Sequence, residues 1–373
     1  MKDILSEYPF SQIPFDDIQR VGQLSLLNRD LFCVSWLLGR FCNYKCSYCW
    51  PYARSSIPDH RPLALLIQTM NEIKKQARER NFNSFHFSFS GGEPTLHKGY
   101  LQLLEHYSQD VQKSNYQSIH MTSNLSPGFK WFENYIQSVS SLHRVSITAS
   151  FHKEHAQRDV FADKIKFLQE NEIHITINMV MVPDRFEELW EDALYFHKRE
   201  INVTLKPQSD SKAQRVVEGY TKSMLEKLRE GLPQKDYTAM ALKKKDKKSS
   251  RPKQSLPLGK KRQNFQLELT DSKGKAWYMD QAERLNAFNF NRFKNWECSA
   301  GYRSLIIREP DGFIKRSYSC FDKPLGHIEE GFKLLSCPKT CITDSCVSSA
   351  DSKIPKRKKK SSLPLWPQFV SQT

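Results

Sequence analysis

Between residues 31 and 206, six short apolar runs alternate with amphipathic stretches, and this regularity constrains the fold more than any other feature. The runs fall at residues 31–38, 84–89, 118–123, 144–150, 173–182 and 201–206. Between the first two, residues 62–80 place Leu63, Leu66, Ile67, Met70, Ile73 and Ala77 on one helical face, with Lys, Arg and Glu on the other. Residues 98–112, 129–138, 156–170 and 185–199 repeat that spacing, and a further helix is expected at 218–231. Strands alternating with helices imply a parallel sheet with right-handed crossovers. Both faces of such strands should be buried, giving continuous rather than alternating hydrophobicity. An open doubly wound sheet and a partial barrel read alike at this level. Cys33, inside the first run, reads as a small buried hydrophobe.

Parallel α/β sheets bind ligands at the carboxyl ends of their strands, so the segments after each run matter most. The first run is followed by Arg40 to Trp50, where Cys42, Cys46 and Cys49 are too close and too irregular for a helix face. A loop is therefore expected around something that needs three thiolates. Thiolate softness restricts the choice to zinc, copper(I) or an iron–sulfur centre, and structural zinc prefers four ligands. The second run leads into Ser90-Gly91-Gly92-Glu93-Pro94. Its glycines allow close backbone approach, and Glu93 or nearby carbonyls could accept bonds from an ammonium. The third run ends at Thr122-Ser123-Asn124 and the fourth at Ala149-Ser150-Phe151-His152, and Asn178 lies within the fifth.

The CxxxCxxC triplet with Tyr48 before its last cysteine, followed one strand later by Gly91-Gly92-Glu93-Pro94, resembles the radical SAM enzymes. The resemblance implies an α/β fold, a partial (β/α)6 TIM-like barrel with a small C-terminal cysteine-rich α+β extension. It implies a 4Fe-4S cluster held by Cys42, Cys46 and Cys49, with S-adenosyl-L-methionine on its open iron. Gly91, Gly92 and Glu93 would lie along the methionine amino group and Tyr48 against adenine. Ser123, Asn124, Ser150 and Asn178 would stand near the ribose and carboxylate. The implied activity is reductive cleavage of the cofactor and hydrogen abstraction from a substrate by a 5′-deoxyadenosyl radical. An electron donor such as flavodoxin or ferredoxin is implied with it.

Five further cysteines, Cys298, Cys320, Cys337, Cys341 and Cys346, follow a long stretch without any and point to a second metal site. Hairpins are expected around them, at 264–270 with 276–279 about Gly274, and at 303–308 with 313–318. Their order resembles the SPASM and Twitch extensions of radical SAM enzymes, which implies an auxiliary iron–sulfur cluster. Five cysteines complete one four-ligand cluster with one to spare. Cys298 and Cys320 read as the firmest ligands and Cys346 as a candidate free thiol, with structural zinc as the alternative.

The net charge of +16 would suggest a nucleic-acid partner if it were spread over the fold. It is not. Residues 243–262 carry ten Lys or Arg against the single Asp246, and residues 353–360 carry six with no acid, so two tracts supply +15. They read as a solvated insertion and a solvated tail, although such runs also bind phosphates by charge alone. The layout expected is an N-terminal extension at 1–30, the barrel at 31–234 and a flexible basic linker at 235–262. A cysteine-rich auxiliary-cluster domain at 263–348 and a basic tail at 349–373 complete it. No N-terminal segment reads as a secretion signal, so a reducing cytoplasmic compartment is expected. No apolar run approaches the roughly 20 residues that span a bilayer, so no membrane partner is expected. The leading expectation is modification of a peptide or protein side chain. The alternatives are radical modification of a nucleotide, RNA or other small molecule, and a non-enzymatic zinc protein that binds nucleic acid.

Overall fold

The computed structural model describes residues 12–23, 30–211, 215–245, 249–251, 267–279, 282, 285, 290–308, 311–346 and 348–365. In chain order its elements begin with β1 (Ile18–Gln23), β2 (Leu31–Leu37), α1 (Leu63–Arg78), β3 (Ser84–Ser90), α2 (Tyr100–Gln109), β4 (Tyr116–Ser123) and α3 (Phe129–Ser138). Next come β5 (Arg144–Phe151), α4 (Arg158–Glu170), β6 (His174–Met181), α5 (Phe186–Lys198), β7 (Asn202–Pro207), α6 (Lys222–Glu230) and α7 (Tyr237–Lys244). The last part holds β8 (Leu267–Asp271), β9 (Ala276–Met279), β10 (Trp296–Cys298), β11 (Ser304–Ile307), β12 (Phe313–Lys315) and β13 (Gly326–His327). It ends with β14 (Gly331–Phe332), β15 (Lys339–Thr340), α8 (Ser349–Ser352) and β16 (Lys356–Lys358). The chain forms two compact units, one of Trp36–Gln68 and His86–Lys253, the other of Met1–Ser35, Thr69–Phe85 and Gln254–Thr373.

The first unit is built on β4 to β7 with the carboxyl ends of β2 and β3, in the order β2–β3–β4–β5–β6–β7, and among the described residues these strands do not close into a barrel. From β4 to β7 the pairing is parallel, and the register sets Ser123 beside Ala149, Ser150 beside Asn178, and Asn178 beside Thr204. This is the partial (β/α)6 architecture. Continuous hydrophobicity was the wrong expectation, because burial alternates strictly along β5 and β6. Val145, Ile147, Ala149 and Phe151 are buried on one face, as are Ile175, Ile177, Met179 and Met181. Ser146, Thr148, Ser150, Thr176 and Asn178 stand half-buried on the other. These polar side chains keep partial exposure and so avoid the cost of full desolvation. Together they form a polar wall.

Helices α4 and α5 end alike. Glu172 and Glu200 take left-handed backbone, φ 62° and 61°. The next residues, Ile173 and Ile201, are fully buried and donate back to Leu168 O and Phe196 O at 3.1 Å each. This is the Schellman closure, with an apolar contact beyond the left-handed residue, and it turns each helix into the following strand.

The second unit contains an antiparallel sheet in the order β15–β10–β16–β1–β8–β9. Its core joins Ile18, Val21, Leu267, Leu269, Met279, Phe293, Trp296 and three cysteines, Cys298, Cys341 and Cys346. Both expected hairpins form, β8–β9 and β11–β12, with Gly274 at φ 79° in the first turn. Residues 264–266 of the first hairpin lie outside the described residues. The N-terminal extension contributes β1, which pairs with both β8 and β16, and one reading from charge needs correction. The basic tract at 353–360, read as a solvated tail, contains β16, an interior strand between β10 and β1. A three-residue strand flanked by charges carries no period to read; its long-range partners decide it. Of the tract at 243–262, Lys243 and Lys244 end α7, and Arg251 donates to Val139 O, Leu142 O and Glu172 O. Residues 246–248 and 252–262 lie outside the described residues.

Candidate active site

Strand β2 delivers the chain to Gly39, and the cysteine loop is pinned at its start. The Asp59 carboxylate accepts Arg40 N at 2.9 Å and Phe41 N at 3.0 Å. Main-chain bonds then tie Cys42 N to Ser55 O at 3.1 Å and Ser55 N to Arg40 O at 2.8 Å. Cys49 N donates to Cys46 O at 3.1 Å, closing a tight turn around the second and third cysteines. The carboxyl end of β5 clamps the other side of the loop. Glu154 accepts Ser47 N at 2.9 Å and Ser47 Oγ at 2.5 Å, and His155 Nε2 accepts Lys45 N at 3.2 Å. Burial would raise the Glu154 carboxyl, but the Ser47 hydroxyl and amide hold it below the usual carboxylate range. Tyr44 stacks on His155 with ring centroids 4.7 Å apart.

Burial pushes all three loop thiols up, Cys46 to about 12, and among other causes each of Cys42 and Cys46 is raised further by Cys49. A thiolate at Cys49 therefore opposes ionisation of Cys42 and Cys46. A soft cation is the natural remedy, and its binding would release the protons. Among the described residues no three Cys, His, Asp or Glu side chains converge on a point that a single ion would occupy. All nine cysteines are free thiols.

The glycine turn is explained first by the protein itself. A Cβ on Gly92, where φ is +50°, would stand 2.2 Å from Phe41 O and 2.6 Å from Arg40 C. One on Gly91, at φ +89°, would stand 2.6 Å from Gly39 O. Both glycines thus let the turn lie directly against the cysteine loop, and Glu93 N seals the contact by donating to Phe41 O at 2.8 Å. Glu93 is held by the protein's own donors. It is 1% exposed, and its Oε1 accepts Thr95 N, Thr95 Oγ1 and Ser123 Oγ while Oε2 accepts Asn124 N at 2.6 Å. Burial raises this carboxyl against those four donors. Its oxygens are committed to tying the β3 and β4 loops together. The carbonyls of Gly91 and Gly92, by contrast, accept nothing from the described residues. They are the orphan acceptors that an ammonium needs.

The other expected contacts separate into two groups. Asn124 is buried and donates from Nδ2 to Asn43 Oδ1 at 3.0 Å, with Cys42 Sγ 3.9 Å away, and Ser123 is held by Glu93. These two organise the loop. Ser150 and Asn178 sit side by side on the polar wall. Tyr48 stacks on His152, 5.9 Å between centroids, and its hydroxyl meets His152 Nδ1 at 2.8 Å. Burial pushes His152 down to about 4, so the ring that meets the phenol is neutral. Sequence reasoning did not assign Asp59, Glu154 and His155. The signal available was His152-Lys153-Glu154-His155, a polar cluster immediately after a strand.

In the second unit the structure sorts the five C-terminal cysteines. Cys298 lies on β10, Cys341 beyond β15 with its amide on Trp296 O at 2.7 Å, and Cys346 N donates to Asn291 O at 2.8 Å. Cys320 Sγ accepts Ser317 Oγ at 3.1 Å. Burial raises Cys320, Cys341 and Cys346, and Cys298 raises each of them further. Cys337 is exposed. Two buried donors beside these thiols have no hydrogen-bond partner among the described residues, Arg316 Nη2 and Thr343 Oγ1. Arg316 is 5% exposed, with Nε on Ala300 O at 3.0 Å and Nη1 on Asp322 at 2.6 Å. An unsatisfied buried donor in a native fold calls for an acceptor, and inorganic sulfide is one.

Residues 36–197 match the sequence model of the Radical SAM superfamily. Among solved structures, the chain is similar to "Native anSMEcpe with bound AdoMet" at 13% identity and TM-score 0.49, over 80% of this chain and 78% of that one. It is similar to a histidine-tagged form of anSMEcpe, also with bound AdoMet, at 13% identity and TM-score 0.47, over 80% of this chain and 75% of that one. No curated protein matches the chain significantly.

Proposed function

Residues 36–197 belong to the radical SAM superfamily, and from that premise we propose that this enzyme modifies a peptide or protein side chain. When bound, the family's 4Fe-4S cluster and S-adenosyl-L-methionine supply a 5′-deoxyadenosyl radical that abstracts hydrogen. Cys42, Cys46 and Cys49 would hold the cluster, and the free carbonyls of Gly91 and Gly92 would receive the methionine ammonium. Asp59, Glu154 and His155 fix the loop from both sides, so the thiols are positioned before any ligand arrives. Tyr48, hydrogen-bonded to His152, presents a rigid ring for the adenine. Ser150 and Asn178 offer uncharged hydrogen-bonding groups to the ribose, carboxylate or substrate.

The observation that carries the substrate reading is the wall itself. Across β3 to β6 it presents Ser88, Ser90, His120, Thr122, Thr148, Ser150, Thr176 and Asn178. Its cations stand at the margins, Arg144 at the amino end of β5 and Lys206 on the edge strand β7. That chemistry suits a neutral polar segment better than a polyphosphate chain, which demands cations. The described cations of the two basic tracts are also largely engaged. Lys244 pairs with Glu200 and Lys245 with Glu170 at 2.6 Å each, Arg357 pairs with Glu297 at 2.6 Å, and Lys356 is buried. Cys298, Cys320, Cys341 and Cys346 would hold an auxiliary iron–sulfur cluster, a Twitch-like arrangement, with Arg316 Nη2 and Thr343 Oγ1 donating to its sulfides. Flavodoxin or ferredoxin would supply the electron.

Mass spectrometry of 5′-deoxyadenosine formed from deuterated substrates tests the reading. A pool of random peptides with perdeuterated side chains should transfer deuterium to the nucleoside, and a perdeuterated RNA pool should not. Transfer from RNA alone would replace the peptide reading with the nucleic-acid one. Because β16 is structural, neutralising Lys359 and Lys360 together with the tract at 252–262 is a cleaner probe of RNA binding than deletion.

A further inference from the structure

Lys356 belongs to a run of six cations that the sequence presents as solvated, yet it is 1% exposed. It lies on β16 directly opposite Cys298 of β10 in an antiparallel pair, so the two side chains share a face. Its Nζ donates to Ile354 O at 2.8 Å and to Asp351 O, and stands 5.0 Å over the Phe293 ring. No carboxylate of the described residues forms an ion pair with it. The nearby Asp351 carboxylate is turned to the amides of Tyr318 at 3.1 Å and Ser319 at 2.7 Å. Arg316, the other buried cation here, differs because Asp322 compensates its charge at 2.6 Å.

A buried ammonium without a counter-charge is strongly disfavoured and ordinarily loses its proton. Around Lys356 the hydrogen bonds run to the Ile354 and Asp351 carbonyls, and Cys298 faces it across the β10–β16 pair. Four thiolates around an iron–sulfur core are net negative, and more so when reduced. A fixed positive charge in a low-dielectric site favours the more negative state. We propose that Lys356 is the buried counter-cation of the auxiliary cluster, required for the cluster's charge balance and raising its reduction potential. This inference rests on the reading that Cys298, Cys320, Cys341 and Cys346 hold that cluster.

The test uses full-length holoprotein and its Lys356→Met and Lys356→Arg variants, with iron and sulfide quantified before an EPR-monitored redox titration. The auxiliary signal is the one that added S-adenosyl-L-methionine leaves unchanged. Wild-type protein lacking a second cluster would sink the underlying reading, independently of Lys356. With the cluster present, Lys356→Met should lower its potential by at least a tenfold change in the one-electron equilibrium, about 59 mV, and Lys356→Arg should restore it. Loss of the second cluster in Lys356→Met with retention in Lys356→Arg supports the same role. An unchanged potential in Lys356→Met, or equal loss of the cluster in both variants, would overturn it.

Discussion

Replacing Gly92 by alanine should dislodge the cysteine loop, and the size of the effect follows from two separable costs. A left-handed φ of +50° costs an alanine about 1 kcal/mol. The second cost is contact: the new Cβ would sit 2.2 Å from Phe41 O and 2.6 Å from Arg40 C, both backbone atoms that cannot rotate away. Relief requires moving the loop and losing the Glu93 N to Phe41 O bond of 2.8 Å, about another 1 kcal/mol. Residual overlap adds about 1 kcal/mol or more, by comparison with overpacked cores. The total is about 3 kcal/mol. Gly274→Ala provides the control, since φ there is +79° but nothing lies within 4 Å, so it should cost only about 1 kcal/mol. Denaturant unfolding of the apoproteins measures both, and anaerobic iron quantification after reconstitution reads the loop. Gly92→Ala should bind markedly less iron while Gly274→Ala matches wild type. If Gly92→Ala costs no more than Gly274→Ala and takes up a full complement of iron, the close packing of turn on loop is not what the glycine serves.

The remaining predictions concern the clamp, the cysteines and pH. Glu154→Ala removes both acceptors from Ser47, so hydrogen exchange at the Ser47 amide should accelerate about fivefold, for a loss of about 1 kcal/mol, while β5 amides stay protected. Cys337→Ser should keep the iron of wild type, and serine at Cys298, Cys320, Cys341 or Cys346 should lower it from about eight to about four per chain. Iron loss on Cys337→Ser would mean the wrong thiol has been set aside. His152 is held down to about 4 by burial, so as pH falls the unfolded chain takes the proton first and stability drops from about pH 6.5 towards 4. Between pH 7 and pH 5 the apoprotein should lose about 2 kcal/mol more than His152→Asn, measured by urea unfolding at both pH values. His174, also held near 4, titrates alike in both proteins and cancels.

The alternation of apolar runs and helical periods was enough to place β2 to β7 and the helices between them, because short-range pattern determines those elements. Cysteine spacing and the glycine turn were equally legible, and they lie together as expected. What the sequence could not show was how the glycine turn and Glu93 are used. Both residue types suit a ligand, but in the fold Gly91 and Gly92 meet the cysteine loop, and Glu93 is consumed by Thr95, Ser123 and Asn124. The same limit hid β16. Lys356 and its neighbours look solvated by composition, and only pairing with Trp296–Cys298 and Arg20 makes them interior. Likewise, sequence spacing offered Cys346 as the candidate free thiol, whereas in the fold Cys346 is buried and Cys337 is exposed. Local chemistry was readable throughout; contacts between residues hundreds of positions apart were not.

The central claim is that Cys42, Cys46 and Cys49 hold the cluster at which S-adenosyl-L-methionine is cleaved. Its most direct measurement is 5′-deoxyadenosine formed by anaerobically reconstituted, dithionite-reduced protein, followed by chromatography in wild type and in Cys42→Ala, Cys46→Ala and Cys49→Ala. Wild type should form product, and none of the three variants should form any above background. Wild-type rates of product formation from even one of them would contradict it.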